Sequence, residues 1–119
     1  PDDAATRNIK DGDIVRVFNS RGSCLASAEL TDCVIPHVVE LPTGSWYDPE
    51  DPQVDGSLEV HGNPNVLTRD KGSSSLGQGP SAHSCLVDVE RYEKPLPPIK
   101  VFSQPAIESL KSSPHKASV

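Results

Sequence analysis

The chain has 119 residues, 34% of them hydrophobic, with 12 prolines and a formal net charge of -6, which fits one domain with a small core and is too short for two ordinary ones. The 17 acidic residues outnumber the 11 basic ones and are dispersed, which argues against phosphate-backbone binding to DNA or RNA. No apolar stretch approaches the roughly 20 residues of a membrane helix, and the first residues carry no charged-then-apolar leader pattern.

In chain order, residues 2–7 suit a short helical turn with Asp2 and Asp3 at its positive end. Residues 14–18 are rich in β-branched and aromatic types and follow the turn formers Lys10 to Asp13, so a strand is predicted to begin after Asp13. Residues 19–22 read as a hairpin connection and 23–30 as the returning strand. A short third strand is expected within residues 34–41, bracketed by Pro36 and Pro42, which a strand interior tolerates poorly. Residues 43–57 are a turn-rich loop carrying the chain's one Trp. Brief strands are expected at 58–60 and 66–68, separated by polar loop, and residues 70–80 are too rich in Gly and Ser for a helix or central strand.

Residues 85–90 alternate most cleanly, with Leu86 on the face opposite Cys85, Val87 and Val89. Prolines at 95, 97, 98, 105 and 114 mark roughly the last quarter as an extended tail. Short strands between turn-rich loops imply a mainly β domain, a closed or partly closed barrel. Three cysteines at 24, 33 and 85 give neither a disulfide framework nor a zinc motif and are expected to be buried and reduced.

The polar loops at 43–57 and 61–84 hold most of the Gly, Asn, Ser and His, and loops on a rigid scaffold are where binding concentrates. Gly62, Gly72, Gly77 and Gly79 let backbone amides approach a ligand, while Asn63, Asn65, Ser73, Gln78 and Ser81 offer neutral donors and acceptors. This chemistry suits a large polar heterocycle with phosphates; the bland alternative is a plain solvent loop. His61, His83 and Cys85 lack metal-site spacing. Ser81, His83 and Asp88 lack the nucleophile elbow of a hydrolase. The run from Gly72 to Gly79 has no terminal Gly-Lys-Ser/Thr and is no P-loop.

The run His61-Gly62-Asn63-Pro64-Asn65-Val66-Leu67-Thr68, followed by Asp70, Lys71 to Ser74 and Gln78 to Val87, resembles the last domain of the dimethyl sulfoxide reductase family, nearest to its biotin sulfoxide and trimethylamine N-oxide reductases. Residues 9–22 and 41–49 agree with the same pattern in the same order. The resemblance implies a double-psi β-barrel of the aspartate-decarboxylase-like kind over residues 1–92, with short helical turns, and a Pro-rich extended tail over 93–119. It implies a cap over a bis(molybdopterin guanine dinucleotide) molybdenum cofactor shared with earlier domains of a longer polypeptide, one of which supplies the serine ligand of the metal.

On this likeness the intact enzyme is an oxidoreductase that reduces S-oxides or N-oxides by oxygen-atom transfer, with electrons from an external donor, and the fragment alone is inactive. By position, Asn65 and His83 are the foremost expected cofactor contacts, followed by Gln78 and Ser81. Trp46 is placed at the mouth of the site or as an aromatic anchor of its own loop. Arg21 is placed at a phosphate or pterin group, or as an exposed hairpin arginine. A cytoplasmic setting is expected, with the periplasm as alternative, and no membrane insertion. A free-standing double-psi barrel serving as an interaction module without enzymatic activity is the competing reading, since fold alone does not give function.

Overall fold

A computed structural model describes residues 1–81 and 84–104. Helix α1 (Asp2–Thr6) opens the chain with Asp2 and Asp3 in its first turn, where carboxylates meet the unpaired amides of a helix start. Strand β1 (Ile14–Phe18) turns through residues 19–22 into β2 (Ser23–Ser27), and both pair antiparallel with Ile14 opposite Ser27 and Phe18 opposite Ser23. Asn19 closes the turn: its side-chain oxygen accepts from the Arg21 amide at 2.9 Å, and its backbone amide donates to the Gly22 carbonyl at 3.0 Å.

Strand β3 (Asp88–Arg91) runs along the other side of β1, giving the order β2-β1-β3. The described chain is thus mainly a small antiparallel sheet with little helix. Alternation along β1 buries Val15 and Val17, which gather Ile9, Cys24 and Leu67 into one small apolar cluster. Cys85, Val87 and Val89 lean on that cluster while Leu86 is 91% exposed, the facing expected from their alternation.

Five expectations are corrected. No strand forms within 34–41: Ile35, Val38 and Val39 are exposed, and His37 adopts φ +66 between the two prolines, which breaks extension. Residues 66–68 are no strand either, because Pro64–Val66 is a 3-10 turn with proline at its start and Asn63 capping it. The last strand begins at Asp88, three residues later than its periodicity suggests. Its partner β1 ends at Phe18, opposite Asp88, and the Leu86 carbonyl accepts from the Asn19 side chain instead of a ladder. Cys24 is fully buried, but Cys85 is only half-buried and Cys33 is exposed. At 58–60 the strand reduces to isolated bridges from Glu59 to Cys24 and Pro49.

Candidate functional site

The loop after β2 is built around two buried carboxylates. Glu59 is fully buried, and its own backbone is fixed to β2, donating to the Ser23 carbonyl at 3.0 Å and accepting from the Leu25 amide at 2.9 Å. One carboxylate oxygen accepts from the amides of Asp48 at 3.1 Å and His61 at 3.0 Å. The other accepts from Gly62 at 2.7 Å and Asn63 at 2.6 Å. Four amide donors offset the cost of removing this charge from water.

Asp48, also buried, accepts from the amides of Lys100 at 2.6 Å and Val101 at 2.9 Å, which ties the segment after β3 to the same loop. Beside Glu59, the Cys24 thiol is pushed up to about 12, first by burial and then by the neighbouring carboxylate charge. It stays a neutral thiol and serves as a small apolar core residue.

Asn63 carries this order outward. Its side-chain nitrogen donates to the Ser45 carbonyl at 3.0 Å, and its side-chain oxygen accepts from the Asn65 amide at 3.0 Å. The 3-10 turn so capped presents Asn65 to a cavity of about 440 Å³, lined also by Thr68, Arg69, Lys71, Gly72 and Gln78. Gln78 reaches it from a tight hairpin in which Gly72 bridges Pro80, the Ser73 amide donates to the Gly79 carbonyl at 2.8 Å, and Gln78 itself takes φ +46. A Cβ on Gly72 would come within 2.7 Å of the Gln78 side-chain oxygen, so glycine permits that approach.

A second cavity of about 650 Å³ adjoins through Arg69 and is lined by Asn19, Ser20, Arg21, Ser84, Cys85 and Leu86. Arg21 donates from Nε to the Leu67 carbonyl at 2.8 Å, the same oxygen that accepts from the Asn19 side chain at 2.8 Å. Its terminal nitrogens make no hydrogen bond among the described residues, and no carboxylate there pairs with Arg21, Arg69 or Lys71. Three cations against one acid, Asp70, around two adjoining cavities are suited to anionic groups.

Of the residues expected from the sequence, Asn65 and Gln78 line one cavity and Arg21 lines its neighbour. The Ser81 hydroxyl donates to the Lys71 carbonyl at 2.7 Å and closes the hairpin base. Trp46 is 71% exposed and lines neither cavity, while its carbonyl meets the His61 ring nitrogen at 3.2 Å. His83 lies outside the described residues. Sequence reasoning missed Arg69, which borders both cavities, although its place directly after Thr68 in the quoted motif was a usable signal. It also missed Glu59, whose place between Leu58 and Val60 imitates the solvent side of an alternating strand. Among the described residues, no group of three or more His, Cys, Asp or Glu stands where it could hold a metal ion.

Comparisons with known proteins agree on one assignment. Residues 1–86 match the family model described as molydopterin dinucleotide binding domain. The chain is 47% identical over 106 residues to a trimethylamine-N-oxide reductase of Salmonella typhi, covering 89% of this chain and 12% of that protein. It is 53% identical over 92 residues to a biotin sulfoxide reductase of Cereibacter sphaeroides, covering 77% and 12%. To a dimethyl sulfoxide/trimethylamine N-oxide reductase of the same organism it is 45% identical over 105 residues, covering 88% and 13%. The chain thus spans about an eighth of the length of these relatives. With residues 1–86 of its 119 matched, the chain belongs to the molydopterin dinucleotide binding domain family.

Proposed function

We propose that this domain closes over the bis(molybdopterin guanine dinucleotide) cofactor of a larger reductase, and that the intact enzyme removes oxygen from S-oxides or N-oxides. The observation that carries the reading is the donor set of the paired cavities: neutral amides at Asn65 and Gln78, and the cations Arg21, Arg69 and Lys71, which pair with no carboxylate among the described residues. A pterin edge needs the first kind of group and a diphosphate needs the second. The residues present therefore fit the cofactor. The relatives named for trimethylamine N-oxide, biotin sulfoxide and dimethyl sulfoxide support this substrate class.

In this reading Asn65 and Gln78 orient the heterocycle by hydrogen bonding, Arg21 and Arg69 hold phosphate oxygens, and Lys71 adds a mobile positive charge. Asp70, on the rim of the smaller cavity, adds an acceptor for heterocycle N–H groups. Ser81 keeps the hairpin closed through the Lys71 carbonyl. His83 is retained as a contact on the strength of its position in the family pattern, whereas Trp46, exposed and tied in only through its carbonyl on the His61 ring, is given no cofactor role. When bound, the cofactor supplies the molybdenum that accepts the substrate oxygen and the path for electrons from an external donor; the domain supplies position and electrostatics.

Residues 1–92 form the cofactor-binding unit, folded as a double-psi β-barrel, and the Pro-rich tail expected over 93–119 follows it, with 105–119 outside the described residues. Preceding domains of the same polypeptide complete the site. The setting is the cytoplasm, with the periplasm as the alternative; no helix among the described residues is long and apolar enough to cross a membrane.

The test is to purify the natural full-length polypeptide, measure its molybdenum and guanine nucleotide, and follow oxidation of a reduced viologen by dimethyl sulfoxide, biotin sulfoxide and trimethylamine N-oxide. Bound molybdenum with turnover of at least one of these oxides is expected. A protein free of molybdenum and inert towards all three contradicts the reading.

A further inference from the structure

We propose that Glu59 is a positioning residue for cofactor binding, a buried strut that sets where Asn65 stands in its cavity. The inference rests on the reading of that cavity as part of the cofactor site. It starts from what Glu59 joins. Its backbone is fixed to β2 on both sides, through Ser23 and Leu25, and β2 is paired along its length with the central strand. Its side chain reaches the opposite way, into the loop, and collects the consecutive amides of His61, Gly62 and Asn63 together with that of Asp48.

Three consecutive amides turned onto one carboxylate need a chain that folds around it. Gly62 supplies the bend with φ +86, and a Cβ there would stand 3.4 Å from the Leu25 carbonyl. The bend delivers Asn63, which is itself buried, so that its side chain spans from the Ser45 carbonyl to the Asn65 amide. From the sheet to the cavity the sequence of contacts is therefore β2, Glu59, Asn63, Asn65. No member of it between Ser23 and Asn63 is exposed, so water cannot readily replace a lost contact.

An ionised carboxylate accepts only. A glutamine of the same shape necessarily turns an NH₂ donor towards two of the four amide donors, whichever way it is flipped. Glu59→Gln thus keeps volume and reverses two contacts, which displaces the amides of either Asp48 and His61 or Gly62 and Asn63. A brace that served stability alone would lower the melting temperature and leave cofactor affinity to the residues that touch it. A strut acting through Asn65 makes a different prediction, because its effect on the cofactor vanishes once the Asn65 side chain is gone.

The experiment uses the full-length, cofactor-loaded protein and follows release of molybdenum into an ultrafiltrate over time for wild type, Glu59→Gln, Asn65→Ala and the double variant, with far-UV circular dichroism and melting temperature recorded alongside. Glu59→Gln is expected to speed release about tenfold, and the double variant to release no faster than Asn65→Ala. Asn63→Ala, which leaves the backbone contacts to Glu59 in place and removes the side-chain bonds to the Ser45 carbonyl and the Asn65 amide, provides the same comparison should Glu59→Gln fail to fold. It is expected to speed release similarly and to add nothing to Asn65→Ala. A loaded wild type whose Glu59→Gln and Asn63→Ala variants release at the wild-type rate, or whose losses add to that of Asn65→Ala, overturns this inference alone. A wild type that binds no molybdenum overturns the reading of the cavity and this inference with it.

Discussion

Two polar loops, residues 46–63 and 69–81, have different fates. Both are rich in turn formers and poor in apolar residues. Around Asp48 and from Leu58 to Asn63 the first is drawn inward, the two carboxylates of Asp48 and Glu59 together accepting six backbone amides, while residues 50–56 between them stay exposed. The second is held by short bonds within itself, such as the Gly77 amide on the Ser74 hydroxyl at 2.8 Å, and most of its residues are exposed. A polar loop becomes framework when buried acceptors take up its amides, and remains a surface for a ligand when its donors face outward.

The sharpest way to break this contrast is to remove the buried acceptor. Glu59→Ala leaves four amides without their partner and is expected to cost roughly 3 kcal/mol or more of stability, whereas Ser74→Ala in the outer hairpin should cost well under about 1 kcal/mol. Equal losses in chemical denaturation would erase the distinction.

Next in size is Gly22→Ala. Its Cβ would meet the Val66 carbonyl oxygen at 2.7 Å, a backbone atom of the turn that presents Asn65, so a loss of about 1–3 kcal/mol is expected. An unchanged melting temperature would show that the turn and the β1–β2 hairpin are not in firm contact.

Cysteine chemistry separates interior from surface. Cys33 should react with a thiol reagent in the folded protein while Cys24 resists until unfolding, and simultaneous modification would contradict the burial of Cys24. Because the folded thiol is raised from 9.0 to about 12, the folded state retains a proton that the unfolded state loses between those values. The contribution of Cys24 is therefore whole below pH 9 and declines as the pH rises towards 12, and Cys24→Ala should flatten that part of a stability–pH profile.

Arg69→Ala sharpens the other side of the comparison. Lying on both cavities and unpaired among the described residues, it should alter stability by no more than about 0.5 kcal/mol while weakening cofactor retention several-fold. Loss of stability without loss of cofactor would reverse its assigned role. The smallest effect is expected at Asp3, lowered first by the hydrogen bond from the His37 amide. Its tie to His37 is present above 3.8 and is lost as pH falls through the lowered folded value. Asp3→Asn should remove that acid dependence with little change at neutral pH.

Much of this was legible in the sequence where local pattern and final environment agree. The β1–β2 hairpin follows from β-branched runs on either side of Asn19 to Gly22, and Leu86 faces solvent as its alternation requires. Asn65 and Gln78 were singled out by their place in the family pattern, since composition alone left a plain solvent loop as the alternative, and both line the smaller cavity. Glu59 was not, since a charged residue between Leu58 and Val60 reads as solvent-facing, and only the tertiary placement of four amides reverses that. Residues 34–41 misled in the opposite sense: their apolar content suggests a strand, yet Pro36, Pro42 and the left-handed His37 deny it a partner.

The most direct measurement is amide hydrogen exchange on the full-length protein with and without its cofactor. The amides of His61, Gly62 and Asn63 should be protected in both states, and those of residues 70–81 other than Ser73, Gly77 and Gln78, which the hairpin itself bonds, protected only when the cofactor is bound. Exchange across 70–81 that is the same in loaded and stripped protein would contradict the claim that this outer loop meets the dinucleotide.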